Sequence, residues 1–217
     1  MPTILTSDPP QIEIDLVHPV RRPDPFDDPE WIFEPMYDGF RGVLHSGSTG
    51  CEIYAAHDFL ADRLDDLCDR IHGVLNGREA ILDGEIVALD RAGRPVLREL
   101  IAGRGASAFA VFDLIQLDGR DLRDLPLAER KRRLADLLPA DTGPLYKILT
   151  IEEYGRALFE ATRKLDLEGI VAKRKGDGYG PGAKWYAIRN PAYYRVSKPA
   201  SRTSPAPVTN RARSEAR

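Results

Sequence analysis

Five acidic residues sit inside runs that are otherwise as apolar as a protein core. Asp83 and Glu85 lie in "AILDGEIVALD" (80–90) and Asp113 in "FAVFDLIQLDG" (109–119). Asp38 follows "WIFEPMY", and Glu168 opens "EGIVAK". Taking a carboxylate into low-dielectric surroundings without partners costs on the order of 2–7 kcal/mol. One acid in a strand is usually explained by a solvated face; five beside strongly apolar neighbours are not. The chain must therefore fold so that cations, hydroxyls or a metal reach these groups. Two readings stand. Glu85 and Glu168, on separate strands facing one cleft, would make a hard-oxygen site suited to magnesium, or the acids are structural and each is paired.

The hydrophobic period changes along the chain. Leu60, Leu64, Leu67, Ile71 and Val74 recur every three or four residues with acids between them, which predicts an amphipathic helix over 58–75. "LPLAERKRRLADLL" (125–138) predicts a second helix, with Pro126 in its first turn. Residues 150–165 predict a third, opened by Thr150 and Glu153 at capping-box spacing. Short apolar runs at 31–35, 40–45, 50–55, 80–90, 109–119, 169–174 and 184–190 predict strands, with turns at Asp38-Gly39 and Asp118-Gly119. Strands and helices alternate irregularly and several strands meet at tight turns. The fold class expected is α+β with mainly antiparallel sheets.

The ends differ from the middle. Residues 1–30 hold seven prolines, which favours irregular chain and places the start of order at Trp31. Residues 192–217 carry six Lys/Arg against one acid, a charge of +5, which leaves −8 on the rest. The tail (195–217) reads as disordered, and its charge could equally touch phosphates. Cys51 and Cys68 form no framework and the four histidines do not cluster, so a structural zinc site is not expected. No apolar run reaches the roughly 18 residues that span a bilayer, and no signal peptide is visible. The expectation is a soluble protein of a reducing, cytoplasmic compartment.

Three cations, Arg41, Lys173 and Arg189, stand at separate strand ends. Beside two acids they would suit a magnesium-bound polyphosphate. Phe112, by pattern alone, reads as core.

These runs resemble, in order and spacing, the strand motifs of the nucleotidyltransferase (adenylation) domain of ATP-dependent DNA ligases. The segments that carry the resemblance are Met36-Tyr37-Asp38-Gly39-Phe40-Arg41, Leu82-Asp83-Gly84-Glu85, Val111-Phe112-Asp113-Leu114, Glu168-Gly169-Ile170-Val171-Ala172-Lys173 and Trp185-Tyr186-Ala187-Ile188-Arg189. Each is weak alone; five in order over residues 30–194 are not. The resemblance implies an ATP-grasp-like fold, two antiparallel sheets packed with helices around a nucleotide cleft. It implies ATP (or AMP) and magnesium as cofactors, and nicked or duplex DNA as partner, with a protein partner also conceivable. It implies that Glu34 hydrogen-bonds the adenine amine and that Phe112 stacks on the purine. Glu85 would meet the ribose or a metal water, Glu168 would help hold magnesium, and Arg41, Lys173 and Arg189 would contact nucleotide or phosphate. Asp38 belongs to the reactive motif.

The pattern breaks where the chemistry starts. The family's nucleophile is a lysine amine that attacks the α-phosphate of ATP, and Met36 holds that position. Three readings compete: a laboratory substitution, natural loss of the nucleophile, or another lysine, with Lys173 nearest. Further departures favour natural loss. "YAAHDFLAD" (54–62) lacks the family's Ser-Arg pair and offers only His57, while Ala187 and Arg189 replace two lysines. The roughly 25 residues after Asn190 are too few for the oligonucleotide-binding barrel of the ligases. The functional expectation is a ligase-type domain for nick sealing by AMP transfer that does not self-adenylate. The alternative is a non-catalytic module binding nucleotide or DNA ends.

Overall fold

The computed structural model describes residues 14–55, 61–91, 93–104, 106–138 and 143–193, without the side chains of 61–63. The stretch 56–60, with His57, and the basic tail lie outside the described residues.

Two sheets form the frame. The first has the order β1 (Val20–Arg21), β11 (Trp185–Arg189), β10 (Gly169–Arg174), β2 (Asp28–Met36), β9 (Ile151–Glu153). The second has the order β4 (Gly50–Ala55), β3 (Phe40–Gly47), β5 (Ala80–Ala88), β6 (Ser107–Leu117), β7 (Arg120–Asp121), and β8 (Leu145–Lys147) also pairs with β6. Every pairing is antiparallel except β1 with β11 and β6 with β8. The α+β class and the two-sheet architecture are as the sequence predicts.

Period-two alternation sorts the side chains of β5. Ala80, Leu82, Ile86 and Ala88 enter the core of the second sheet, with Leu67 and Ile71 from helix α1 (Ala61–Leu75). Ile81, Asp83 and Glu85 take the other face. There Ile81 joins Ile115, Val17, Tyr179 and Trp185 in a separate cluster that seals the seam between the sheets. Helix α2 (Leu97–Ala102) buries Leu97 and Leu100. Helix α3 (Leu127–Leu137) packs on β6, and helix α4 (Gly155–Lys164) lays Leu158 and Phe159 on the first sheet.

The acids in the strands are paired. Asp83 and Asp113 face each other across the β5–β6 ladder, and both are fully buried. Arg41 holds Asp83 through Nε (3.0 Å) and Nη2 (2.6 Å). Arg130 holds Asp113 through Nε (2.8 Å) and Nη2 (2.9 Å), and it too has no exposed surface. The Tyr179 hydroxyl donates to Asp83 at 2.6 Å.

Several expectations change. Asp38-Gly39 does not close a hairpin. β2 and β3 belong to different sheets, so the turn carries the chain from one sheet to the other. Asp118-Gly119 does close one, with φ of 48° and 75° in the left-handed region that a tight two-residue turn requires. Order does not begin at Trp31. Val17 is 4% exposed, β1 extends the first sheet, and the Val17 carbonyl accepts from Arg41 Nη1 at 2.6 Å. The capping box at 150–153 is not formed. Residues 151–153 pair with β2 as β9, and the Thr150 hydroxyl donates to Glu34 at 3.1 Å. The helix starts only at Gly155. Pro126 sits at the N-cap of α3, one position before its first turn.

Replacing Arg130 by Met leaves Asp113 charged, buried and without its guanidinium. The expected loss is about 3–5 kcal/mol in urea denaturation. Arg130→Met combined with Asp113→Leu removes both charges and is expected to recover most of it.

Candidate active site

The seam opens into a cleft of about 220 Å³ whose walls come from both sheets. Eight of the nine residues singled out in the sequence line it: Glu34, Met36, Arg41, Glu85, Phe112, Glu168, Lys173 and Arg189. The ninth, Asp38, is 2% exposed just past β2 and accepts a hydrogen bond from the Tyr193 hydroxyl at 3.1 Å. Burial, reinforced by Asp38, pushes the Tyr193 phenol up to about 12, so it stays a donor at neutral pH.

Local backbone features set these positions. Gly39 lies so close to β5 that a Cβ would stand 2.3 Å from the Ile86 carbonyl oxygen. Only glycine lets the turn dock there. Gly169, at φ 144°, would place a Cβ 2.2 Å from the Ile188 carbonyl oxygen, which fixes the start of β10 beside Glu168. Phe112 reaches the cleft by a bulge. Asp83 pairs with Asp113 but Gly84 pairs with Val111, so Phe112 is the extra residue on β6. The sequence pattern carries no sign of this.

Glu34 anchors one end of the cleft. Its Oε2 is 2.7 Å from Lys173 Nζ, and its Oε1 accepts from Lys131 Nζ and the Thr150 hydroxyl. Lys131 and Thr150 were not anticipated. Lys131 lies in the run predicted as the second helix, with no role assigned to it, and Thr150 reads as a cap. Lys173 is enclosed between rings, 4.0 Å from the Trp185 centroid and 4.4 Å from that of Phe112. Its Nζ also donates to the Phe112 carbonyl at 3.3 Å. Burial is the main reason its pKa falls to about 8; Glu34 opposes the fall and Lys131 adds to it.

Met36 and Glu168 mark the other end. Glu34 and Met36 project on the same side of β2 and are about 7 Å apart along the strand. Met36 pairs in register with Gly169, next to Glu168. Glu168 Oε1 lies 2.7 Å from Arg189 Nη1. Lys173 pairs in register with Ile32, four positions along β10 from Gly169 or about 13 Å. Its ammonium is bound at Glu34, not at Met36. Arg41 is half-committed to the floor of the cleft by Asp83 and also lies 5.5 Å from the Phe112 ring. Two carboxylates, Glu85 and Glu168, in one cleft fit magnesium, which takes one or two carboxylates and completes its shell with phosphate and water.

Residues 21–189 match the family model described as "ATP dependent DNA ligase domain". The chain belongs to this ligase domain family. It is 37% identical over 158 residues to a multifunctional non-homologous end joining protein LigD of Pseudomonas aeruginosa, covering 69% of this chain and 19% of that protein. It is 33% identical over 181 residues to a probable DNA ligase of Streptomyces avermitilis, covering 72% of this chain and 34% of the relative. The chain therefore spans a minor part of either relative. Among solved structures, a mycobacterial DNA ligase D complexed with ATP and MES superposes with a TM-score of 0.67 at 26% identity, covering 81% of this chain and 60% of that one. The ligase domain of Mycobacterium tuberculosis LigD gives 0.64, also at 26%. Among the described residues of this ligase-family domain no helix is long and apolar enough to cross a membrane.

Lys173 gives the cleft a pH signature. Between its folded pKa of about 8 and its ordinary 10.5, the unfolded chain holds the proton that the folded chain has released. The contribution of Lys173 to stability therefore rises with pH across that window. Relative to Lys173→Met, the wild type is expected to gain on the order of 2–3 kcal/mol between pH 8 and 10.5, read from urea midpoints. A flat or falling difference would refute the assignment.

Proposed function

We propose that this chain is a ligase-type adenylation domain that keeps an adenine-nucleotide cleft but does not form the covalent protein–AMP bond. One observation carries the reading. The side chain on the cleft wall just before Tyr37-Asp38-Gly39, where the family's chemistry begins with a lysine amine, is the thioether of Met36. An amine attacking the α-phosphorus sheds a proton and displaces pyrophosphate, leaving a stable phosphoramidate. A thioether has no proton to shed, so its attack would leave a sulfonium on phosphorus and no such stable adduct. Lys173 does not replace it, because in-line attack needs the reacting atoms within about 3–3.5 Å and its ammonium is held at the Glu34 end.

The binding half of the site is fuller. Phe112 offers a ring face to a purine, and the Glu34 carboxylate offers an acceptor to an exocyclic amine. Glu85 and Glu168 would hold magnesium beside the phosphates, where the ion would supply positive charge. The retained set supports nucleotide recognition, and the ATP bound to the mycobacterial relative is consistent with it. DNA ends are the partner class that the relatives' names suggest. The activity of any longer protein carrying this domain is a further proposal. A non-catalytic role, in which the domain engages nucleotide or DNA ends without acting on them, follows if the cleft binds and does not react.

Incubation with α-labelled ATP and magnesium or manganese, followed by denaturing electrophoresis, is expected to leave the wild-type chain unlabelled. A covalent label on wild type would overturn the proposal. Met36→Lys asks how much else is missing. Label on that variant would mean that position 36 alone silences the site; continued absence would assign part of the loss to positions such as Ala187.

A further inference from the structure

The three cations on the cleft wall are all committed to acids of the protein. Arg41 Nη2 is 2.6 Å from Asp83, Lys173 Nζ is 2.7 Å from Glu34, and Arg189 Nη1 is 2.7 Å from Glu168. Glu85 adds another negative charge to the wall, close enough to Arg41 to act on its ionisation. Among the described residues, then, the lining holds three acids and three cations, and each of these cations is paired, Glu34 being shared by Lys173 and by Lys131 from outside the lining. Positions that could have tipped this balance are neutral: Met36, Ala187, Tyr37 and Val171 complete the same wall.

A triphosphate brings about four negative charges, and its recognition rests on guanidinium or ammonium groups free to turn toward it. Here such a group must first leave a carboxylate, and that carboxylate is then left beside the phosphates. Separating the enclosed pairs, Lys173 with Glu34 and Arg41 with Asp83, costs several kcal/mol, whereas Arg189, 45% exposed, leaves Glu168 at a much smaller cost. A purine adds no net charge at the other end, where Glu34 keeps one acceptor position and Phe112 offers its ring, although Lys173 and Arg41 already lie 4.4 and 5.5 Å from that ring's centroid. A carboxylate offers about four lone-pair sites, and three donors occupy Glu34.

From this charge balance we infer that the cleft selects a purine nucleoside or nucleoside monophosphate over a nucleoside triphosphate. The inference rests on the nucleotide reading above and sharpens it. Affinity falls with each added phosphate, and magnesium, by neutralising the chain of phosphates, narrows the gap without reversing it.

Isothermal titration of the full chain with adenosine, AMP, ADP and ATP, in EDTA and again with magnesium, tests it. In EDTA, AMP is expected to bind at least about tenfold tighter than ATP, a difference of about 1.4 kcal/mol. ATP binding as tightly as AMP, or more tightly, in EDTA would overturn the inference while leaving the nucleotide reading in place. Absence of binding by all four would overturn the nucleotide reading itself. A chain carrying Met36→Lys and Ala187→Lys adds two uncommitted cations at the phosphate end. ATP is expected to gain at least about tenfold on AMP in that variant, with circular dichroism confirming the fold. No relative gain in the folded variant would also count against the inference.

Discussion

Two aspartates stand directly opposite each other on neighbouring strands, buried from water, and the rest of the architecture answers them. Like charges at facing positions of an antiparallel pair destabilise it, and burial removes the water that would screen them. Asp83 and Asp113 are tolerable only because each has a guanidinium in bidentate contact. The two arginines come from different places. Arg41 is on β3 and reaches along the sheet; Arg130 rises from α3 and pins that helix to β6. Both then recruit backbone oxygens. Arg41 takes the carbonyl of Val17, and Arg130 takes those of Leu125 and Asp177. In this way the N-terminal segment, α3 and the loop carrying Tyr179 are fixed around one charged centre. Such a centre adds little net stability over an apolar one. Its effect is specificity, because few alternative packings supply four groups at once.

The same centre shapes the cleft above it. Arg41 spans both layers, with one edge on Asp83 and its plane within 5.5 Å of Phe112. The bulge that frees Phe112 from the ladder falls between the steps at Asp83 and Gly84. The distortion that exposes an aromatic ring is thus adjacent to the paired acids and is held by them. One step outward, the ammonium of Lys173 fills the space between Phe112 and Trp185 and meets Glu34. Charge compensation is repeated from the floor of the site to its wall, and each repetition uses a cation that a free phosphate would otherwise find.

Much of this was legible in the sequence, for definite reasons. Acids in apolar runs announce pairing, the period of residues 60–74 announces α1, and Asp-Gly at 118–119 announces its hairpin. The convergence of Glu34, Glu85, Phe112 and Glu168 followed from the order of the motifs. What was not legible is the assignment of partners. Arg130 sits in "AERKRRL" among four other charged residues, and only tertiary packing decides that this one turns inward. Lys131, its neighbour, reaches Glu34, nearly a hundred positions away in sequence. Thr150 and Glu153 have the spacing of a helix cap. Pairing with β2 outcompetes that local preference, and the Thr150 hydroxyl is drawn to Glu34. The prolines before Trp31 suggested chain without order. They do not prevent Val17 from packing or Val20 from joining an edge, where a strand needs hydrogen bonds on one side only.

These contacts also separate what holds the fold from what performs chemistry. Position 36 takes part in none of the buried ion pairs, and the close approaches that demand glycine lie at other positions, among them 39, 84, 155 and 169. Met is unbranched and nearly as long as Lys, so it can occupy the end of β2 without disturbing the ladder to Gly169 or the docking of the Asp38-Gly39 turn. The paired aspartates, by contrast, cannot be changed one at a time without leaving a charge buried alone. Substitution at the reactive position is therefore tolerated by the structure, whereas substitution at Arg41, Asp83, Asp113 or Arg130 is opposed by it. A domain built this way can keep the outline and the acids of its cleft whichever unbranched side chain of this length stands at position 36.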